Sequence, residues 1–126
     1  MPTAGTVSKQ TFRINIMSKG VVLINLYRHL SPSTLTNINR IVPFETHAIR
    51  QNGMIVLPTC IISGREKCRE EFKRGDVAYG LQEGAIVVFL VTVRSNRKYN
   101  VLGEVENGLE IFDNIVHSET AKVERV

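Results

Sequence analysis

Residues Ala85 to Val93 read AIVVFLVTV, nine positions without a charge, a glycine or a proline. That is far short of the roughly 20 apolar residues a membrane helix needs. The β-branched and aromatic content points to a strand instead. A strand with no polar face must be covered on both sides, so other elements wrap it. Just upstream, Gly75 to Gly84 reads as a short strand and a glycine-bounded turn. The run is therefore expected to form the wall of a closed or nearly closed β-structure, and to be its most buried continuous stretch.

The rest of the chain supplies short strands to pair with it. Phe12, Ile14 and Ile16 alternate with Arg13 and Asn15, the period of a half-buried strand. Ser18-Lys19-Gly20 turns this strand into Val21 to Leu26. Ser31 then caps, and Pro32 opens, a helix over residues 32–42, with Leu35, Ile38, Ile41 and Val42 on one face. Asn52-Gly53 is a strong hairpin signal between Phe44–Ile49 and Met54–Leu57, and Pro58 ends or bulges the second strand. Cys60 to Ile62 is expected to continue that ladder. Gly64 to Arg74, the densest charge run, reads as a solvated surface with Phe72 as its large apolar anchor. Arg94 to Lys98 reads as a polar loop and Tyr99 to Glu106 as containing a strand. A short helix is expected over residues 108–115, and His117 to Val126 as a closing strand.

A chain of 126 residues is long enough to bury a core without disulfides or metal. We read residues 1–10 as a frayed tail and 11–126 as one domain. No opening secretory pattern is seen, so Cys60 and Cys68 are expected to be reduced thiols in a cytoplasmic protein. The net charge of +4 is too mild for a dedicated nucleic-acid binder. No transmembrane run is present, and a monomer or weak homodimer is expected.

The order of elements resembles the cyclophilins, above all the small cyclophilin-like proteins of archaea and bacteria. The likeness rests on the hairpin and capped helix from Arg13 to Ile41, with Ser31-Pro32-Ser33-Thr34 opening the helix. It rests also on Gly75-Asp76-Val77 through Leu90, and on Val101-Leu102-Gly103-Glu104-Val105-Glu106-Asn107-Gly108-Leu109-Glu110. The resemblance implies an all-β, cyclophilin-like closed barrel of about eight strands with two short helices, one over each end. Active cyclophilins carry an arginine beside a histidine on the third strand, which contacts the carbonyl at an X-Pro bond. In this chain Thr46-His47-Ala48-Ile49 matches that segment, so Ala48 stands where the guanidinium belongs. Met54 to Leu57 replaces an aromatic and glutamine segment, Phe89 is the counterpart of the groove aromatic, and there is no tryptophan. Arg50 would bring a positive charge only from a shifted register.

These matches imply a groove lined by His47, Arg50, Met54, Tyr79 and Phe89, binding an unidentified small molecule or peptide segment. The alternative is a weak or divergent peptidyl-prolyl isomerase acting through Arg50. Other chemistries find less support. His29, His47 and His117 lie far apart, and neither Cys60 nor Cys68 has a spacing that marks a nucleophile pair. No Cys-x-x-Cys or His-Glu-x-x-His motif is present, and no metal or cofactor is expected. Gly75, Gly80 and Gly84 lack the strand-to-helix setting of a phosphate loop. Arg94, Arg97, Lys98 and Tyr99 place cations beside an aromatic, as single-strand binders do. They read more simply as a solvated loop.

Overall fold

The structure, a computed structural model, describes residues 9–17, 19–59 and 61–126. Most of the expected tail, Ser18 and Cys60 lie outside the described residues, whereas Lys9 and Gln10 already belong to the first strand. The strands are β1 (Lys9–Ile16), β2 (Gly20–Tyr27), β3 (Phe44–Gln51), β4 (Met54–Pro58), β5 (Cys68–Phe72), β6 (Asp76–Gly80), β7 (Ala85–Phe89), β8 (Val93–Asn107) and β9 (Ser118–Arg125). Two helices, α1 (Pro32–Ile41) and α2 (Leu109–Asp113), complete the element list. Eight strands run β2-β1-β9-β3-β4-β7-β6-β8, and pairing of β2 with β8 closes the ring. All pairs are antiparallel, so the expected all-β closed barrel with two short helices is the observed fold.

The barrel interior holds Phe12, Ile14, Ile16, Val22, Ile24 and Leu26 from the first hairpin, with Ile55, Leu57, Val77, Tyr79, Ile86 and Val88 opposite. The period of two puts alternate residues of one strand on opposite faces. On β7, Ile86 and Val88 point inward, while Ala85, Val87 and Phe89 belong to a second apolar cluster outside the wall. That explains the missing polar face. The burial ends at Leu90, however. Val91 is 47% exposed, and the sequence run is in fact a strand, a turn and the first residue of β8.

Leu35 and Ile38 of α1 enter the barrel core after the C-terminal end of β2, and Phe112 of α2 enters beside its N-terminal end. The two helices therefore sit at opposite ends. The hairpin at Asn52 (φ 50°) and Gly53 (φ 76°) is a two-residue left-handed turn flanked by the pair Gln51–Met54. Ser31 occupies the N-cap position of α1, but its side chain makes no capping bond. Its fully buried hydroxyl donates instead to the Val101 carbonyl at 2.7 Å, tying the helix to the wall.

The ninth strand is the main departure from expectation. Residues 68–72, inside the charge run, form β5, which pairs with the first half of β8 outside the closed ring. The Arg94–Lys98 segment is not a separate loop but part of β8. Pairing jumps from Glu71–Arg94 to Arg69–Tyr99, so β8 holds three more residues than β5 across that interval and bulges there. Residues 61–67 carry no strand, and Ile62 is 95% exposed, so the ladder ends at Pro58.

Candidate functional site

Because β8 is long, its first half runs beyond the barrel wall and its second half completes the wall. The first half and β5 together make an arm lying over the outer face of β4, β6 and β7. What holds it is an aromatic cluster. Phe72 of β5 stacks on Phe89 of β7 with centroids 4.4 Å apart and planes 5° from parallel. Tyr99 of β8 meets both rings edge-on, at 5.9 and 5.7 Å. The Arg69 guanidinium sits 5.2 Å from the Phe72 centroid, a cation–π contact. Burial, followed by the Glu83 carboxylate that accepts the Tyr99 hydroxyl at 3.1 Å, pushes the Tyr99 phenol up.

Beside the arm, where β5 and the β5–β6 turn face β8 and Leu30, opens a cleft of about 800 Å³. Leu30, Phe72, Val93, Val101 and Val105 give it an apolar lining. Arg69, Lys73, Arg74 and Arg94 bring positive charge to it from β5, the β5–β6 turn and β8, against Glu71, Asp76 and Glu104. The carboxylates are already engaged. Asp76 accepts the Lys73 backbone N–H at 2.9 Å and lies 3.6 Å from the Arg69 guanidinium. Glu104 accepts the Tyr27 hydroxyl at 2.7 Å and an Asn25 amide N–H at 3.3 Å. That bond to Glu104, with burial and the charge of Glu106 adding, pushes the Tyr27 phenol up to about 12. Glu71 pairs with Arg94 at 3.2 Å, both largely exposed. Arg74 is turned to Asp113 and to the Leu90 carbonyl.

One end of the arm is anchored by a polar knot. The fully buried Asn100 accepts the Glu66 N–H at 2.8 Å and the Cys68 thiol at 3.2 Å, and donates to the Gly64 carbonyl at 2.9 Å. Glu66 in turn caps α1, taking the Ser33 and Thr34 N–H groups, each at 2.8 Å, and the Thr34 hydroxyl at 2.7 Å. Burial alone would raise the Glu66 carboxyl; the bonds from Thr34 and Ser33 outweigh it and hold the group below its ordinary value. Cys68 is a free thiol.

The five residues singled out from the sequence are spread over both surfaces of the sheet. His47 is exposed and borders a separate hollow of about 460 Å³ with Phe44, Thr46, Pro58 and Thr120. Arg50 lies across the sheet from Phe89, at the barrel end. Its guanidinium donates to the Asp113 and Ile115 carbonyls at 2.9 and 3.2 Å, closing the end of α2. Tyr79 is wholly buried in the barrel, hydrogen-bonded to the Thr59 hydroxyl at 2.8 Å and to the Ile61 carbonyl. Met54 and Phe89 are direct partners on the outer face, but Phe89 is fully covered by the arm. Ala48 is buried in the barrel core, so no donor faces outward there. Tyr99, 3% exposed within the aromatic cluster, offers no free face for stacking a base. Among the described residues, no group of three His, Cys, Asp or Glu side chains gathers as a metal site. No described helix is long and apolar enough to cross a membrane.

The cleft residues were not singled out from the sequence. The signal was the placement of Phe72 in a charge run, followed by an Arg beside Val93, but their meeting depends on β5 pairing with β8.

The fold thus defines a closed antiparallel eight-stranded barrel, helix-capped at both ends, with an external two-stranded arm. Over its full length the chain is similar to a solved structure of the same length range, the solution structure of the hypothetical protein AF2241 from Archaeoglobus fulgidus. The two share 25% identity and a TM-score of 0.78, with 100% of each chain covered. No family model and no curated protein matches the chain.

Proposed function

We propose that this is a cyclophilin-like binding barrel without isomerase chemistry, which holds a small molecule or a short protein segment in the cleft beside the arm. The observation that carries the reading is the cleft itself. At about 800 Å³ it falls within the usual span of ligand sites, and it sets apolar side chains among charged ones of both signs. Met54 and Phe89 serve it from behind, as the outer-face support on which Phe72 rests. Isomerisation of an X-Pro bond needs a donor aimed at the twisted amide next to an apolar slot. Arg50 is committed to the α2 carbonyls, and the adjoining inward position is Ala48, so neither supports that alternative.

Two measurements test the reading together. A coupled isomerisation assay over a panel of X-Pro peptides is expected to stay at background. Amide NMR of the chain against a library of small apolar and amphiphilic compounds is expected to give shifts gathered on Leu30, Val93 and Val101. Isomerase turnover abolished by Arg50→Ala would overturn the proposal. So would a library that leaves those amides unmoved.

A further inference from the structure

Resting on that reading, we infer that the cleft selects small amphiphilic anions, with an apolar body against Leu30 and Val101 and a carboxylate or phosphate head held by Lys73 and Arg69. The argument is one of donors left over. Each carboxylate at the cleft already has partners: Asp76 the Lys73 N–H and Arg69, Glu104 the Tyr27 hydroxyl and Asn25, Glu71 the Arg94 guanidinium. On the cationic side capacity is in excess. Lys73 makes no ion pair among the described residues, and it stands on the turn that forms the cleft's edge. An ammonium carries three donors and a guanidinium five. The 3.6 Å approach of Arg69 to Asp76 uses little of that supply.

The position of Arg69 adds a second reason. Its guanidinium is held over the Phe72 ring at 5.2 Å, so it is oriented before any ligand arrives. A preoriented planar donor loses little freedom on binding an oxyanion and matches it with paired N–H groups. A cationic ligand would reach only carboxylates already bonded to neighbours and would meet the Lys73 ammonium, which has no such partner among the described residues. A neutral one would leave the donors without acceptors as water is displaced.

The probe pair for the test is 1-anilinonaphthalene-8-sulfonate and N-phenyl-1-naphthylamine, the same rings with and without the anionic group. Fluorescence titration of the whole chain, with amide NMR to locate the site, is expected to show the sulfonate binding at the cleft about tenfold or more tighter, an ordinary return for one well-placed charge contact. Lys73→Glu, on an exposed turn residue, should remove that preference without moving the melting temperature. Lys122→Glu, the same charge change on the exposed face of β9, should leave it intact. Equal affinities for the two probes at the cleft, or a preference that survives Lys73→Glu, would overturn the anion inference while leaving a binding cleft. If neither probe shifts Leu30, Val93 or Val101, the binding reading falls and this inference with it.

Discussion

Replacing Phe89 with Ala tests whether the arm is welded to the barrel. The ring is fully buried, stacked face to face on Phe72 at 4.4 Å and closed at its edge by Tyr99 at 5.7 Å. Emptying such a position costs about 3–5 kcal/mol, from lost transfer energy and the cavity left behind. Phe72→Ala removes the facing ring from an edge strand that can settle inward, so its cost should lie near the low end, about 3 kcal/mol. The rings' direct interaction adds about 0.5–1.5 kcal/mol beyond area. A double-mutant cycle should recover it as a shortfall from additivity. Since a domain's whole stability is about 5–15 kcal/mol, the cycle is safer with Leu at both positions, which keeps most of the volume. Urea unfolding followed by far-ultraviolet circular dichroism supplies the free energies. A loss below about 1 kcal/mol for Phe89→Ala would place the ring in an open groove. Additivity within about 0.3–0.5 kcal/mol would mean the two rings do not meet, and the arm as described would be wrong.

Glu66→Gln should cost about 1 kcal/mol at neutral pH, for a weakened cap on α1. Because the folded carboxyl titrates below its ordinary 4.5, its contribution is complete above that pH and fades as pH falls through the lower folded value. Unfolding curves of the two proteins should therefore converge in acid; a gap that stays constant would refute the assignment. Gly103→Ala would set a Cβ 1.8 Å from the Asn25 carbonyl oxygen, at the β2–β8 seam that closes the ring. It should cost about 3 kcal/mol or more, the top of the range for overpacking, and Gly64→Ala, with nothing within 4 Å, should be nearly neutral by thermal melting. Arg50→Ala should lower stability by about 1 kcal/mol through the lost bonds to the Asp113 and Ile115 carbonyls. Amide NMR should find the cleft unchanged; a large shift at Val93 or Val101 would mean Arg50 reaches it.

The parts of this fold that were legible are those where one local interaction decides. Asn52-Gly53 accepts a left-handed turn that few other pairs tolerate. The β7 run is apolar because both its faces are covered, and no helix or solvated strand needs that pattern. β5 was hidden because its alternation is carried by polar types. Cys68 and Glu70 are half-buried, Phe72 alone is fully covered, and one edge of the strand is paired. The polar stretch from Arg94 reads as a loop because a bulge needs no apolar residue. The site residues failed on direction. In strands buried on both sides, Tyr79 and Phe89 look equivalent in sequence, yet one faces the barrel interior and the other the arm. At Arg50 the parity of the strand alone decides, and it carries the guanidinium to the helix end.

The same geometry says where the cleft gets its shape. One wall belongs to a ring in which every strand is paired on both edges, and such a wall has little freedom to move. The other belongs to β5, which has one paired edge, and it is located by the Phe72–Phe89 stack and the Asn100 knot at the end of the arm. Opening the ring would break many backbone pairs at once, whereas freeing β5 requires only the aromatic contact, the Asn100 knot and one short ladder to β8 to part. Low-stability segments of this kind open first, and binding elements are drawn from them. Width of the cleft is then set by the seat of Phe72, a lining residue, on Phe89 behind it. If the cleft binds as proposed, a change at Phe89 should alter that affinity from outside the lining, and hydrogen exchange in β5 should speed before exchange in the barrel does. Synchronous exchange of β5 and the barrel strands would show instead that arm and barrel open as one unit.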